Sequence, residues 1–386
     1  MAKQKINVGM IGYAFMGKAH SVGYRDVAWA CPDVKAVPAM KELCGRTESS
    51  VKQAAELFGW ERYSTDYRRT VESDDIRLID IGTGNDTHKE IALAAAANGK
   101  HIFCEKPLAM NVAEAKEMAR AVEKAGVINM VNFNYRVVPA VALAKKMIDE
   151  GMVGAPYHFR AVYLQDWIMD PEFPLVWRLD KSKAGSGSHG DLNAHIIDLA
   201  RYLCGEFASV CGLMKTFIEK RPLPEAQAGG LAATQGSAKM GEVTVDDATL
   251  FLAKFANGAV GTFEATRFAG GGKNGLRFEL NGSKGSIRFN LERLNEIEYY
   301  SMSGKSEYQG WKNIMVTDAS QPYAGAWWPG GHIIGWQHTF VHQVYNLMNG
   351  IADGKNPSPS FTDGLKCQEV LEAVEKSDEG GGWVKV

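Results

Sequence analysis

A carboxylate and an ammonium stand side by side at Glu105 and Lys106, directly after the apolar run from His101 to Cys104. The run predicts a strand, and Pro107 predicts its end, because proline has no amide hydrogen for a strand ladder. In open α/β sheets the ligand crevice lies at the carboxyl ends of the strands. Lys106 is therefore placed to donate a hydrogen bond to an oxygen that gains negative charge during a reaction.

A second group of chemical side chains comprises Asp191, His195 and Asp198, on a helix predicted from residue 191 to 203. Residues four and three apart share one helix face. Three interpretations are open: a buried network, a divalent-metal site, and an acid–base pair in which Asp191 orients His195 to accept a proton near neutral pH. The sequence has no further His/Cys cluster at ligand spacing, so we predict no metal and prefer the acid–base pair.

The first strand and turn of the chain provide a place for a cofactor. Residues 6–11 are apolar except for Asn7 and so predict a strand, and the turn that follows has the pattern Gly-x-Ala-x-x-Gly before a helix. In such a turn the first glycine allows the tight bend, the small second residue lets the backbone approach a pyrophosphate, and the third allows close helix–strand packing. The predicted cofactor contacts here are Gly12, Ala14, Phe15, Met16 and Gly17.

Two later turns extend the predicted nucleotide crevice. The second strand, 34–44, ends without the acidic residue that would bind a ribose 2′-hydroxyl. Arg46 follows and suits either an adenine edge or a 2′-phosphate, and Glu48 is a late substitute for the acid. We therefore predict NAD and leave NADP open. The turn after the strand at 78–81 opens an alanine-rich helix, and its candidate cofactor contacts are Thr83, Gly84, Asn85 and His88.

The remaining pattern predicts two domains. Strands and helices alternate up to residue 132, which indicates a doubly wound parallel sheet over 1–132. From 133 to 386 short strands separated by Asn-Gly turns indicate an α+β domain with a large, mostly antiparallel open sheet. We expect residues 222–241 to form a mobile excursion. An antiparallel sheet with helices on one face leaves the other to be covered, so a homo-oligomer, dimer or tetramer, is expected.

Composition limits the class of partner. The chain has 386 residues, is 45% hydrophobic and carries a net charge of −2 without a long basic run. These values argue against nucleic acid and anionic membrane as partners. We find no apolar stretch of membrane-spanning length and no signal peptide. The six scattered cysteines include no Cys-x-x-Cys pair, which indicates a reducing, cytoplasmic location.

Three motifs together resemble those of the glucose–fructose oxidoreductase, inositol dehydrogenase and MocA (Gfo/Idh/MocA) family, over essentially the whole chain. They are the glycine turn, Glu105-Lys106-Pro107 and Asp191-x-x-x-His195, in this order. The aromatic run 165–178 further resembles the branch of that family that acts on the anhydrosugar levoglucosan. The resemblance implies a Rossmann domain, an NAD(P) nicotinamide beside Lys106, and hydride transfer from a secondary hydroxyl of a sugar, anhydrosugar or inositol.

The same resemblance implies further contacts. On the cofactor side they are Glu105, Lys106, Asn134, Trp177 and Arg178, and on the substrate side they are Lys106, Gln165, Asp191, Asn193 and His195. His332 joins the substrate set because aromatic residues near it, such as Trp327 and Trp328, suit stacking on an apolar sugar face. In the mechanism that we expect, His195 is the general base and Lys106 stabilises the alkoxide.

Two other functions stay open. Some members of the family hold NAD tightly, oxidise a sugar transiently, eliminate an aglycone and reduce the sugar again, which gives net glycoside cleavage. A non-catalytic dinucleotide sensor is the other alternative, and the presence of Lys106, Asp191 and His195 speaks against it because a sensor needs none of them.

Overall fold

The computed structural model describes residues 3–225 and 236–386, and these form two compact units. The first unit comprises 3–134 and 337–368. The second unit comprises 135–225, 236–336 and 369–386.

Parallel strands form the centre of the first unit. Its strands are β1 (Gln4–Ile11), β2 (Ala36–Cys44), β3 (Arg62–Ser64), β4 (Leu78–Ile81), β5 (His101–Cys104) and β6 (Asn129–Val131). They pair in the order β3-β2-β1-β4-β5-β6, with every pair parallel. This doubly wound order confirms the predicted fold class of the first domain, and its ligand crevice lies at the carboxyl ends of the strands.

Helices connect these strands, and the central strands are buried. The helices are α1 (Phe15–Ala30), α2 (Glu48–Phe58), α3 (Tyr67–Glu72), α4 (His88–Ala97) and α5 (Val112–Ala125). Every residue of β4 is buried. Strands covered on both faces are continuously apolar, and Asp80 is the exception within β4.

The second unit contains a large mixed sheet and a separate pair of strands. Its further strands are β7 (Pro156–Leu164), β8 (Phe207–Lys215), β9 (Lys220–Pro224), β10 (Gly236–Glu242), β11 (Ala248–Phe255), β12 (Val260–Thr266), β13 (Gly275–Gly282), β14 (Gly285–Asn290), β15 (Glu296–Ser301), β16 (Trp311–Met315) and β17 (Val384–Lys385). Nine of these described strands pair in the order β16-β15-β14-β13-β7-β12-β11-β8-β17. All their pairs are antiparallel except β12 with β7, which confirms the predicted mostly antiparallel sheet.

The segment predicted as a mobile excursion, 222–241, contributes to two strands where it is described. β9 and β10 pair antiparallel, with Gly241 opposite Arg221. The glycine-rich composition did not indicate this strand pair. The central part of the segment, 226–235, lies outside the described residues.

Helices cover one face of the large sheet. They are α6 (Pro139–Asp149), which contacts β14 and β15, and α8 (Ala194–Leu203), which contacts β7. The short helix α7 (Lys181–Ala184) packs on the turn at Trp177–Leu179. On the opposite face alternate side chains are exposed, among them Leu213, Leu250, Leu252 and Val260. The sheet therefore carries apolar side chains on a face that these helices do not cover.

Two helices, α9 (His338–Asp353) and α10 (Phe361–Gly380), precede β17. We expected α9 in the second domain, but it packs on α1 in the first unit. At the crossing a Cβ on Gly23 would lie 2.9 Å from the carbonyl oxygen of Phe340, so only glycine allows this approach. Among residues 3–225 and 236–386, no helix combines the length and apolar character needed to cross a membrane.

Candidate active site

The glycine turn of the first unit has the geometry of a phosphate-binding turn. Gly12 has a φ of 111°, which disfavours other residues, and a Cβ there would lie 2.4 Å from the carbonyl oxygen of Gly82. A Cβ on Gly17 would lie 2.5 Å from the carbonyl oxygen of Gly12. The turn leads into the N-terminus of α1, where main-chain amides and the helix dipole favour an anion. The backbone thus forms a cradle that side chains would fill.

The other predicted residues of this turn line its outer side. Ala14 and Phe15 are exposed and Met16 is half-buried. Ala14 precedes the helix in extended conformation and has no side chain that could cap the first turn. The amides at this end of α1 therefore suit a phosphate rather than a side-chain cap.

The end of β2 explains the absence of an acidic residue. The ring of Tyr13 lies against Gly45, so a Cβ at Gly45 would be 2.1 Å from the Tyr13 ring. A carboxylate side chain cannot occupy that position while Tyr13 keeps its place. Arg46 is exposed beside it, and Glu48 accepts a hydrogen bond of 3.3 Å from Tyr63.

The turn after β4 holds its predicted cofactor contacts close to the loop that carries Lys106. Thr83, Gly84 and Asn85 are half-buried, whereas His88 is buried. The Nδ1 atom of His88 lies 3.1 Å from the carbonyl oxygen of Pro107, and its Nε2 atom lies 3.4 Å from that of Thr83. Burial lowers the pKa of His88, so the ring is neutral and its single N–H fastens the neighbouring turn.

The Glu105-Lys106 pair is divided between the interior and the crevice. Glu105 is buried, and its Oε2 atom accepts a hydrogen bond of 3.1 Å from the main-chain N–H of Lys106. Lys106 itself is half-buried. The hydrogen bond from its main-chain N–H to Glu105 therefore fixes the backbone of Lys106.

The predicted cofactor contact Asn134 lies at the end of the first segment of the first unit. It is buried and donates a 2.8 Å hydrogen bond to Thr339.

The second unit places His195 among aromatic rings. Its ring lies 4.4 Å from that of Tyr135 and 5.9 Å from that of Tyr163, between centroids, and only 6% of His195 is exposed. The two phenol oxygens are 2.9 Å apart. Burial raises the pKa of Tyr163 well above its usual value, so that phenol stays protonated. These contacts fix the plane of the imidazole.

A polar chain continues from these phenols to the predicted substrate residue Gln165. Tyr163 donates to Asn274 at 2.6 Å, and the amide of Gln165 donates to the same oxygen at 3.3 Å. Trp167 in turn donates to Gln165 at 2.9 Å. An amide held beside an indole suits recognition of a polyol, which offers both hydroxyls and an apolar ring face.

Asp191 is paired with a residue that the sequence did not indicate. Its Oδ2 atom accepts a 2.7 Å hydrogen bond from Arg267, whose side chain is almost wholly buried and lies over the ring of Trp167. This charge-assisted hydrogen bond fixes the position of the Asp191 carboxylate. Asp198, the third residue of the predicted face, pairs instead with Arg136 at 2.8 and 2.6 Å.

A π-helical turn, His189–Asn193, replaces the first turn of the predicted helix. The carboxylate of Asp246 accepts hydrogen bonds from the main-chain N–H groups of Gly187 and His189 at 2.7 and 2.8 Å, and so holds this turn. The amide of the predicted substrate residue Asn193 is buried and donates to His189 at 3.0 Å. The position of Asp191 relative to His195 is thus set by the π turn.

The remaining predicted residues of the second unit are more exposed. Arg178 lies over the ring of Trp177, 4.4 Å from its centroid. His332 is exposed, and its Nδ1 atom lies 2.7 Å from the carbonyl oxygen of Pro329. Trp328 is 45% exposed. In the described part of the chain, no group of three His, Cys, Asp or Glu side chains is arranged to hold a metal ion.

Arg267→Lys is expected to lower kcat/KM for the substrate about 10- to 100-fold, because a charge-assisted hydrogen bond contributes about 1.5–3 kcal/mol. Lysine keeps the charge but cannot hold Asp191 and lie flat over Trp167 together. Steady-state kinetics would measure the loss. The matched control is Arg277→Lys on β13, where the exposed pair with Glu292 spans 3.4 Å and should contribute little. Equal kinetics for the two variants would contradict a role for Arg267.

Comparisons with known proteins cover both units. The family model "Oxidoreductase family, NAD-binding Rossmann fold" matches residues 6–133. The model "GFO/IDH/MocA C-terminal domain" matches residues 141–288. Levoglucosan dehydrogenase of Pseudarthrobacter phenanthrenivorans is 43% identical over an alignment of 388 positions, which covers 99% of this chain and 98% of that protein. The NAD(+)-dependent scyllo-inositol 2-dehydrogenase of Bacillus subtilis is 30% identical over 79% of each chain.

Solved structures agree with the sequence matches. The crystal structure of an oxidoreductase domain protein from Kribbella flavida has a TM-score of 0.94 and 48% identity, with 99% of each chain covered. A levoglucosan dehydrogenase in complex with NADH and levoglucosan has a TM-score of 0.94 and 42% identity, over 99% of this chain and 100% of that chain.

Proposed function

The chain belongs to the Gfo/Idh/MocA family of oxidoreductases, and from that premise we propose that it oxidises a secondary hydroxyl of an anhydrosugar, with levoglucosan as the first candidate. Family membership confirms two predictions, the oxidoreductase reaction and the NAD cofactor. The observation that carries the narrower proposal is the 43% identity to levoglucosan dehydrogenase over 99% of this chain.

The first unit fits a dinucleotide. The close backbone approach at Gly12 and Gly17 leaves no room for side chains and suits a pyrophosphate at the start of α1. Asn85, Arg46 and the exposed Phe15 belong to the proposed remainder of the nucleotide contacts. NAD, when bound, supplies the hydride acceptor.

Side chains of the protein bind the sugar and accept its hydroxyl proton. We assign Lys106 to donate a hydrogen bond to the substrate oxygen, which stabilises the alkoxide as it forms. His195 accepts the hydroxyl proton, as an imidazole does near neutral pH, and the rings of Tyr135 and Tyr163 hold it in one plane. Asp191, held by Arg267, accepts a hydrogen bond from a neighbouring hydroxyl.

Sugar recognition falls to the polar and aromatic side chains of the second unit. Gln165 offers an amide that Asn274 and Trp167 orient. Asn193, through its buried amide, and His332, on an exposed segment, complete the proposed set. A substrate with an apolar ring face and several hydroxyls matches this combination.

We also propose a cellular location and an oligomeric state for the enzyme. The six cysteines, all within the described residues, carry free thiols, which suits a reducing cytoplasm. The apolar side chains on the exposed sheet face, among them Leu250 and Leu252, suit a homo-oligomer.

A substrate panel tests the proposal. Levoglucosan, glucose, myo-inositol and scyllo-inositol would each be given with NAD and with NADP, and reduced cofactor followed by absorbance. We expect levoglucosan with NAD to give the highest kcat/KM, with one NADH released for each ketone formed. Cleavage of a glycoside without net NADH would instead support the eliminating reaction. NADH binding without turnover on any member of the panel would support a sensor and contradict the proposal.

A further inference from the structure

The buried ring of His20 bridges two carboxylates in the first unit. Its Nδ1 atom lies 2.8 Å from Asp80 Oδ2, and its Nε2 atom lies 2.8 Å from Glu105 Oε1. The side chains of His20 and Asp80 are fully buried, and that of Glu105 is 6% exposed. A carboxylate lies at hydrogen-bond distance from each ring nitrogen, and the imidazolium can donate a hydrogen bond to both, so the geometry favours the charged ring. The amide nitrogen of Asn132 also lies 3.0 Å from His20 Nε2.

The electrostatics of the cluster agree with that protonation state. Burial lowers the pKa of His20, but the Asp80 and Glu105 carboxylates outweigh burial and raise it to about 10. Burial raises the pKa of Glu105, yet the hydrogen bond from His20 and the charge of His20 hold it below its usual value. The cluster is therefore a cation between two carboxylates at neutral pH.

The surroundings of the ring close the cluster. The ring lies 5.0 Å from that of Phe103 and 5.4 Å from that of Phe340, between centroids. Tyr24 donates a 2.7 Å hydrogen bond to Asp80, Asn132 donates to Glu105, and the thiol of Cys104 is buried beside the cluster. The charge of Lys106 and the buried ring of His88 also act on Glu105.

The cluster joins the two parts of the proposed cofactor site that lie within this unit. His20 is one turn after Gly17 on α1, the helix that begins at the glycine turn. Glu105, its partner, also accepts the main-chain N–H of Lys106 at 3.1 Å. One continuous path of hydrogen bonds therefore runs from the phosphate-binding helix to the backbone of Lys106.

We propose that His20 is a positioning residue that acts through Glu105 to hold the backbone of Lys106 in register with helix α1. The role rests on the proposed function of Lys106. His20 contacts neither sugar nor cofactor in this role. It keeps the Glu105 carboxylate ionised and aimed at the Lys106 amide, which an uncharged side chain cannot do equally well.

A double-variant cycle tests the proposal by kinetics. We expect His20→Gln and Glu105→Gln each to lower kcat about tenfold or more, while KM for the sugar changes less than about threefold. Because both act through one contact, the double variant should lose no more than the worse single variant. The control is Tyr24→Phe, which removes the hydroxyl from the far side of Asp80 and should leave kcat within about threefold. Fully additive losses would overturn the proposal.

Hydrogen exchange gives a test without any substrate. The Lys106 amide should exchange faster in His20→Gln and in Glu105→Gln than in the wild type or Tyr24→Phe, because its acceptor is no longer held. Unchanged exchange at Lys106 in both folded variants would refute the positioning role even if the enzyme proved to have another substrate. A wild-type protein that oxidises no sugar would refute the proposed function and leave this test intact.

The pH dependence of stability provides a second measurement that needs no substrate. Since the folded-state pKa of His20 is raised, stabilisation by the charged ring is fully present below about pH 6.5 and is lost as the pH rises through about 10. The melting temperature of the wild type should fall across that window, and that of His20→Gln should fall less. Parallel curves would contradict the charged bridge.

Discussion

Lys106→Met is expected to lower kcat for levoglucosan oxidation with NAD by about 10²–10⁴, the cost typical of removing a group that stabilises charge in the transition state. Methionine keeps much of the apolar stem and removes the ammonium. The loss should fall on kcat more than on KM, because the alkoxide exists only as the reaction proceeds. Absorbance of NADH under steady-state conditions measures both constants.

The control for Lys106→Met is Lys124→Met on α5, an exposed lysine of the same unit. It should leave kcat and KM near their wild-type values, as most exposed substitutions do. NADH binding by fluorescence separates a lost cofactor contact from a lost catalytic group, since Lys106 is also a proposed cofactor contact. A kcat within about threefold of wild type in Lys106→Met would remove Lys106 from the mechanism.

Local backbone constraints explain why the glycine turn could be predicted from sequence. The positive φ of Gly12 and the close approach at Gly17 are needs that few residues meet, so they leave glycines at fixed spacing. The same holds for the end of β5, where a proline follows the charged pair. Such features depend on neighbours in the chain and are visible without the fold.

Contacts between distant segments were not visible in the sequence. Asp80 stands 60 residues from His20, and Arg267 stands 76 residues from Asp191. The spacing rules that place Asp191, His195 and Asp198 on one helical face assume an α-helix, and the π turn breaks that assumption. One signal was present, since an acidic residue inside the buried strand β4 calls for a charged partner.

The position of α9 also depends on a contact between distant segments, which the sequence does not show. Its amphipathic pattern predicts a helix with one buried face, but not which unit receives that face. The answer depends on Gly23, whose missing side chain lets α1 and α9 approach closely. A glycine within a helix signals close packing without naming the partner.

His195→Asn is expected to lower kcat by about 10²–10⁴ at neutral pH, because asparagine cannot accept the hydroxyl proton. The residual rate should rise steadily with pH, since hydroxide in the solvent can then take that proton, whereas the wild-type rate should level off once its base is deprotonated. Rates measured across a pH series with saturating sugar and NAD would show the difference. His158→Asn, on β7 of the same unit, is the matched control and should keep the wild-type profile.

A double variant, His195→Asn with Lys106→Met, tests whether the imidazole and the ammonium stabilise the same transition state. Groups that act as a unit are strongly non-additive, so the double variant should be only slightly slower than the slower single variant. If the two losses instead multiplied, the residues would act on separate steps. If His195→Asn retained the wild-type pH profile and rate, a group other than His195 would accept the proton. The contacts of His195 with the rings of Tyr135 and Tyr163 would then have a structural role only.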